Sequence, residues 1–150
     1  MAQSLTQILI HLIFSTKERY PFLTSNIRPE LHACAATVLQ HLESPAILIN
    51  SVDDHAHILL RLSKKHAACD VVQETKTSTS KWLKTKGGIL TKFVWQNGYG
   101  AFSVSSSKLD SARHYVANQH VHHQTVTFQD EFRGFLAKHG IEFDERYVWG

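Results

Sequence analysis

The 150-residue chain has the size of one domain, and its hydrophobic content of 43% excludes an intrinsically disordered protein. Its net charge of +3 is compatible with a polyanionic partner, but also with an ordinary solvated surface. No apolar run approaches the roughly 18 residues that a membrane span needs. Cys34 and Cys69 lie far apart with no metal-type spacing, which fits a reducing cytoplasm. From the length we expect a single domain over residues 1–150.

The first part of the chain predicts a strand, a helix and a hairpin. Residues 7–15 are short and apolar, which is typical of a buried strand rather than a signal peptide. Residues 27–42 carry apolar side chains at helical spacing, with Pro29 in the first turn. Residues 46–52 and 55–62 both predict strands, and the acidic turn between them predicts that they pair.

The central part predicts a second helix and a second hairpin. Residues 67–87 fit a helix that ends at a pair of glycines. Residues 91–96 and 99–105 bracket Asn97-Gly98, and this dipeptide is a strong signal for a two-residue hairpin turn.

Two helices follow, at residues 107–123 and 128–140. Ser107 and Asp110 resemble a capping box for the first of them. The mixed aromatic and acidic tail, residues 141–150, predicts no particular element. This order of elements predicts an α+β sandwich of the ferredoxin-like or RRM-like kind, with an antiparallel sheet that leaves one face open for a site.

Two histidines, His55 and His57, alternate along the predicted third strand and therefore share one face of it. The alternate residues on the other face are all apolar and predict the core side: Ala56, Ile58, Leu60 and Leu62. The histidine face is then the open one, and two imidazoles there can converge on one metal ion. Because the chain has eleven histidines, a chance pair is the alternative. We expect His11 to face the same side in a structural role.

The helix at 107–123 offers partners for the histidine pair. Tyr115 and Gln119 are four residues apart and share a helical face, which His122 also shares. Tyr115 is a candidate nucleophile, and either Gln119 or His122 is a candidate third ligand. The alternative is that Tyr115 packs on the sheet while the polar residues are solvated.

The His-Ala-His strand followed by the segment YVANQ resembles the single-tyrosine HUH transposases, which include the REP-associated tyrosine transposases. The resemblance extends over residues 11–23 and 95–104, although Ala56 is smaller than the usual middle residue. It implies that Tyr115 is the nucleophile and that His55, His57 and Gln119 bind a metal.

This resemblance implies a transposase that cleaves and rejoins single-stranded DNA at hairpin-marked ends through a 5′-phosphotyrosine. It implies Mg²⁺ or Mn²⁺ as cofactor, and ligand softness favours Mn²⁺. It also implies a homodimer. A cluster of lysines could contact DNA phosphates: Lys81, Lys84, Lys86 and Lys92. Three aromatic residues could stack on bases, or pack internally: Trp82, Trp95 and Tyr99.

Three other functions are alternatives to this one. An RRM-like RNA-binding module needs aromatic residues on the open face, which the third strand does not supply. A non-transposing relative would bind hairpin nucleic acid without cutting it. A replication or conjugation nickase would use the same chemistry, but such proteins are usually larger.

Overall fold

A four-stranded antiparallel sheet in the order β2-β3-β1-β4 forms the centre of the fold. The computed structural model describes residues 2–150. Its strands are β1 (Ile8–Ser15), β2 (Ala46–Ser51), β3 (His55–Leu62) and β4 (Gly100–Val104). Its α-helices are α1 (Arg28–His41), α2 (Ala68–Lys84), α3 (Leu109–Ala117), α4 (Gln119–His122) and α5 (Phe128–Lys138). The predicted α+β class and first hairpin are confirmed, as are the first, second and last helices. In residues 2–150 no helix is long and apolar enough to cross a membrane.

The larger core lies on the apolar face of β3, as the alternation of residues predicted. Ile58 and Leu60 are almost completely buried there, against Leu39 of α1 and Leu83 of α2. Both helices carry their apolar residues on the side that faces the sheet, so burial of this face accounts for their position.

The histidine face of the open sheet carries the site, and the C-terminal helix α5 packs against part of this face. A second core forms there, in which Phe128 and Phe132 of α5 pack against Ile13 and Phe102. Gly100 permits this approach, because a Cβ atom there would lie only 2.6 Å from the Phe132 ring. The aromatic stripe of α5 has to be buried, and this face of the sheet is where it packs.

The predicted second hairpin does not form. Residues 91–96 and β4 do not pair with each other, because both lie along the β1 segment: Trp95 bridges to Thr16, and β4 pairs with β1 itself. The loop between them is held instead by Lys76, whose Nζ donates to the Gln96 carbonyl at 2.6 Å and to the next two carbonyls. Pairing with β1 has outweighed the local turn signal of Asn97-Gly98.

The predicted helix at 107–123 is interrupted at Asn118, which separates α3 from α4. The predicted capping box is also wrong, because Ser107 lies within a short 3-10 turn and no side chain caps α3. The last helix is capped by Thr127, whose side chain accepts from the Asp130 amide, and Gly140 follows it at a φ of 65°. In the tail, Trp149 packs against the second core.

Candidate active site

Three imidazoles and one carboxylate converge where β3 meets the C-terminal helices. His55 and His57 project from β3, His123 follows α4, and Glu131 projects from α5. One ligand atom of each lies within 4.8 Å of all the others. Glu131 Oε1 is 3.0 Å from His57 Nε2, 3.0 Å from His123 Nε2 and 3.4 Å from His55 Nε2. His55, His57 and Glu131 are buried, so this group is shielded from bulk water.

Outer hydrogen bonds turn the Nε2 atoms of these imidazoles toward the centre. His55 Nδ1 donates to Asp54 Oδ1 at 2.7 Å, and His123 Nδ1 donates to the Val126 carbonyl at 2.6 Å. Because both acceptors lack a proton, the hydrogen belongs to Nδ1, which leaves the lone pair of a neutral ring on Nε2. His57 Nδ1 lies 2.8 Å from His11 Nε2, so His11 orients His57, in line with its expected structural role.

This donor set fits a divalent metal ion. Acceptor atoms of like polarity repel one another unless a cation lies between them. Metal–ligand bonds of about 2.0–2.2 Å separate neighbouring ligand atoms by roughly 3 Å. The distance of 3.0 Å between His55 Nε2 and His123 Nε2 is of that size, as are the distances to Glu131. Asp54 supports His55 in the way that carboxylates support metal-binding histidines.

The ionisation of the buried groups follows from their contacts. Burial alone would favour a neutral Glu131, but its close contacts with the imidazoles of His123, His55 and His57 hold its pKa well below the usual range. Burial lowers the pKa of His57 to about 4, despite its contact with Glu131. Burial also opposes a charge on His55, yet its hydrogen bonds to Asp54 and Glu131 raise its pKa. These shifts favour a charged Glu131 carboxylate beside a neutral His57 imidazole.

Tyr115 lies against this group. Its hydroxyl donates to Glu131 Oε2 and lies 3.3 Å from His122 Nε2. Burial, followed by the hydrogen bond and the charge of Glu131, raises the pKa of the Tyr115 phenol above its usual value. The phenol is therefore neutral as it stands, and a nearby cation would be needed to favour the phenolate.

Gln119 is completely buried next to the same group. Its Nε2 donates to the Tyr115 carbonyl at 3.1 Å, so its Oε1 is the amide atom that faces inward, 2.9 Å from His123 Nε2. His122, the alternative candidate, contacts Glu131 Oε2 at 3.3 Å. The four residues singled out in the sequence, Tyr115, Gln119 and the histidine pair, therefore come together in space.

His123 and Glu131 were missed in the sequence. His123 was one of four histidines in a short stretch, and nothing distinguished it from its neighbours. Glu131 did carry a signal, because it lies among Phe128, Phe132 and Phe135 on the apolar stripe of a helix. A carboxylate at such a position is rarely buried without a partner.

The candidate DNA-binding lysines lie away from this group. Helix α2 packs on the opposite face of the sheet, and the four lysines on or after it are exposed: Lys81, Lys84, Lys86 and Lys92. Lys86 Nζ lies 4.6 Å from the Trp82 ring. Trp95 is a core residue, with its Nε1 donating to Thr79 Oγ1, whereas Tyr99 is partly exposed.

The chain is similar to known proteins in sequence and in fold. The family model described as "Transposase IS200 like" matches residues 4–119. A protein from Deinococcus radiodurans R1 that has been assigned as a transposase has a similar structure, with a TM-score of 0.62 and 20% identity over 79% of this chain and 98% of that one. A REP-associated tyrosine transposase bound to a REP hairpin has a TM-score of 0.60 and 14% identity over 84% of this chain and 76% of that one. No curated protein matches.

Proposed function

Because the chain belongs to the IS200-like transposase family, we propose that it cleaves and rejoins single-stranded DNA through a covalent bond to Tyr115. The observation that carries this proposal is the contact of the Tyr115 hydroxyl with Glu131, whose other carboxylate oxygen lies 3.0 Å from His57 Nε2. A tyrosine buried in a core for packing alone has no need of a carboxylate shared with three imidazoles.

The proposed cleavage is an exchange of one phosphodiester for another. Tyr115 Oη forms a bond to phosphorus, and the bond from phosphorus to the 3′ oxygen breaks. The phenolic proton passes to solvent, because the low pKa of Glu131 makes its carboxylate a poor base. The 3′ oxygen takes a proton from solvent and leaves as a 3′-hydroxyl, while the 5′-phosphate stays on the tyrosine. A 3′-hydroxyl that attacks later reverses these steps and rejoins the strand without ATP.

The metal ligands that we propose are His55, His57 and Gln119, joined by His123 and Glu131. A divalent cation bound there would favour the phenolate and polarise a non-bridging phosphate oxygen. Three imidazoles suit Mn²⁺ better than Mg²⁺, and the two oxygen donors are compatible with either. The carboxylate charge of Glu131 offsets part of the cation's charge inside the buried site.

We propose that the substrate carries a hairpin next to the cleavage point. The similar REP-associated transposase was solved with a REP hairpin, and this chain shares its fold. The exposed lysines of and after α2 supply positive charge for phosphates, on the face of the sheet opposite to Tyr115. A hairpin bound there would have to send its single strand around the sheet to reach the tyrosine. We also propose that the chain forms a homodimer.

The direct test is the covalent adduct. A labelled single-stranded oligonucleotide from the DNA that flanks the gene, incubated with Mn²⁺, should give a protein–DNA band that survives denaturation. Tyr115→Phe should remove that band, a loss on the order of 10³-fold or more, and should leave oligonucleotide binding intact. Tyr147→Phe, at an exposed tyrosine with no proposed role, is the matched control. Binding without an adduct in the unmodified protein would identify a non-cutting relative instead.

A further inference from the structure

A cleft lies beside Tyr115, formed by β4, α3 and α5. Its volume is about 790 Å³, within the range of about 300–1,000 Å³ that is usual for ligand sites. Tyr115 and His11 are among the residues that line it, and His11 is the residue that orients His57. A molecule in this cleft therefore reaches the tyrosine.

The polar lining of this cleft suits an anion. Lys108 and Lys138 contribute two exposed ammonium groups, and the hydroxyls of Ser103, Ser105 and Ser111 add donors. Among the described residues that line the cleft there is no aspartate or glutamate. Lysines and hydroxyls without a competing carboxylate are what a phosphodiester backbone requires.

One wall of the cleft is aromatic. The rings of Phe102 and His139 stack with centroids 4.7 Å apart, and those of Phe102 and Phe135 stack at 5.3 Å. Phe135 is partly exposed and His139 is exposed, so both rings are accessible to a base. Aromatic platforms beside a basic backbone groove are typical of single-stranded nucleic acid sites.

Gly134 adds an observation that internal packing does not explain. It lies inside α5, where glycine costs roughly 1 kcal/mol relative to alanine. A Cβ atom there would meet nothing within 4 Å, and its φ is not in the left-handed region. Because Gly134 lines the cleft, the missing side chain leaves room for an occupant rather than for the chain itself.

We propose that this cleft binds one nucleotide of the DNA strand next to the phosphate that Tyr115 attacks. The base stacks on the wall formed by Phe135 and His139, and the adjoining phosphates contact Lys108 and Lys138. This subsite selects which nucleotide can flank the cleavage point. The inference rests on the proposed function for the role of Tyr115, but it assigns a strand-binding site that the nucleophile and the metal ligands do not require.

The test introduces a bulky side chain into the cleft at position 134. Gly134→Phe should block the base, whereas Gly134→Ala should leave room and keep or raise the melting temperature. Ala137→Phe is the matched control, because Ala137 is exposed on the same helix and lies outside the cleft. The probe is the gene-flanking oligonucleotide, together with a series that has one abasic position on either side of the cleavage point.

Binding is measured in the Tyr115→Phe background, so that the result does not depend on cleavage. Gly134→Phe should weaken binding of the intact oligonucleotide about 5- to 100-fold, the equivalent of one lost base stack. It should have no further effect on the oligonucleotide that lacks the flanking base. Equal binding by Gly134→Phe and Ala137→Phe would overturn the inference. Absence of an adduct in the unmodified protein would instead refute the proposed function and leave the binding result to decide on the cleft.

Discussion

The Tyr115 hydroxyl is hydrogen-bonded to the Glu131 carboxylate, 16 residues further along the chain. The second oxygen of that carboxylate contacts imidazoles from β3 and from the end of α4. A movement of the carboxylate therefore changes the environment of the nucleophile and of the ligands together. The nucleophile and the candidate metal ligands form one connected unit.

Replacing Glu131 by Gln should weaken metal binding. The substitution keeps the size of the side chain but removes the negative charge that three imidazoles surround. We expect Mn²⁺ affinity, measured by calorimetry, to fall at least about 10-fold. Glu142→Gln, at an exposed position, should leave it unchanged. Equal affinities in the two variants would exclude Glu131 from the ligand set.

Replacing His57 by Ala should abolish metal-dependent adduct formation, because it removes a ligand from the centre of the group. EDTA should have the same effect on the unmodified protein, and Mn²⁺ should restore activity better than Mg²⁺. The control is His66→Ala, which changes an exposed histidine outside the site. Full activity in EDTA would show that the histidines have no metal role in cleavage.

A mixture of two inactive variants distinguishes action within one chain from action between chains. Tyr115 contacts Glu131 of its own chain, so we expect it to serve its own histidine pair. Mixing Tyr115→Phe with His57→Ala should then give no adduct above that of either variant alone. Recovery of activity in the mixture would mean that the tyrosine helix is exchanged between subunits.

The basic surface on and after α2 should make DNA binding depend on salt. Each lost phosphate contact should reduce the slope of log affinity against log salt by about 0.9 for the duplex stem of a hairpin. Changing four lysines together to alanine should therefore flatten the slope: Lys81, Lys84, Lys86 and Lys92. The control changes the exposed pair Lys64 and Lys65 instead. An unchanged slope in the fourfold variant would place the DNA elsewhere.

Much of the site was predictable because it depends on short-range periodicity. Alternation placed His55 and His57 on the face opposite to the apolar core, and helical spacing placed Tyr115 near Gln119. Tyr115 and Gln119 both lie at the site even though the helix is interrupted between them, at Asn118.

The parts that were not predicted depend on long-range packing. The packing of α5 on the sheet brings Glu131 to the histidines. No local pattern in residues 128–140 predicts which face of the sheet this helix covers. The second hairpin was wrongly predicted for the same reason, since Asn97-Gly98 indicates only a local turn preference and not which strand the segment pairs with. The partner of this segment is β1, more than 80 residues earlier in the sequence.

The residues of the donor set lie far apart in the sequence, so they are synthesised at different times. The histidine pair and Tyr115 leave the ribosome before Glu131, because chains emerge from the N-terminus first. A nascent chain that lacks α5 has the nucleophile but not the carboxylate that joins it to the imidazoles. If the proposed chemistry requires that carboxylate, the growing polypeptide cannot cut DNA until its C-terminal helix has emerged and docked.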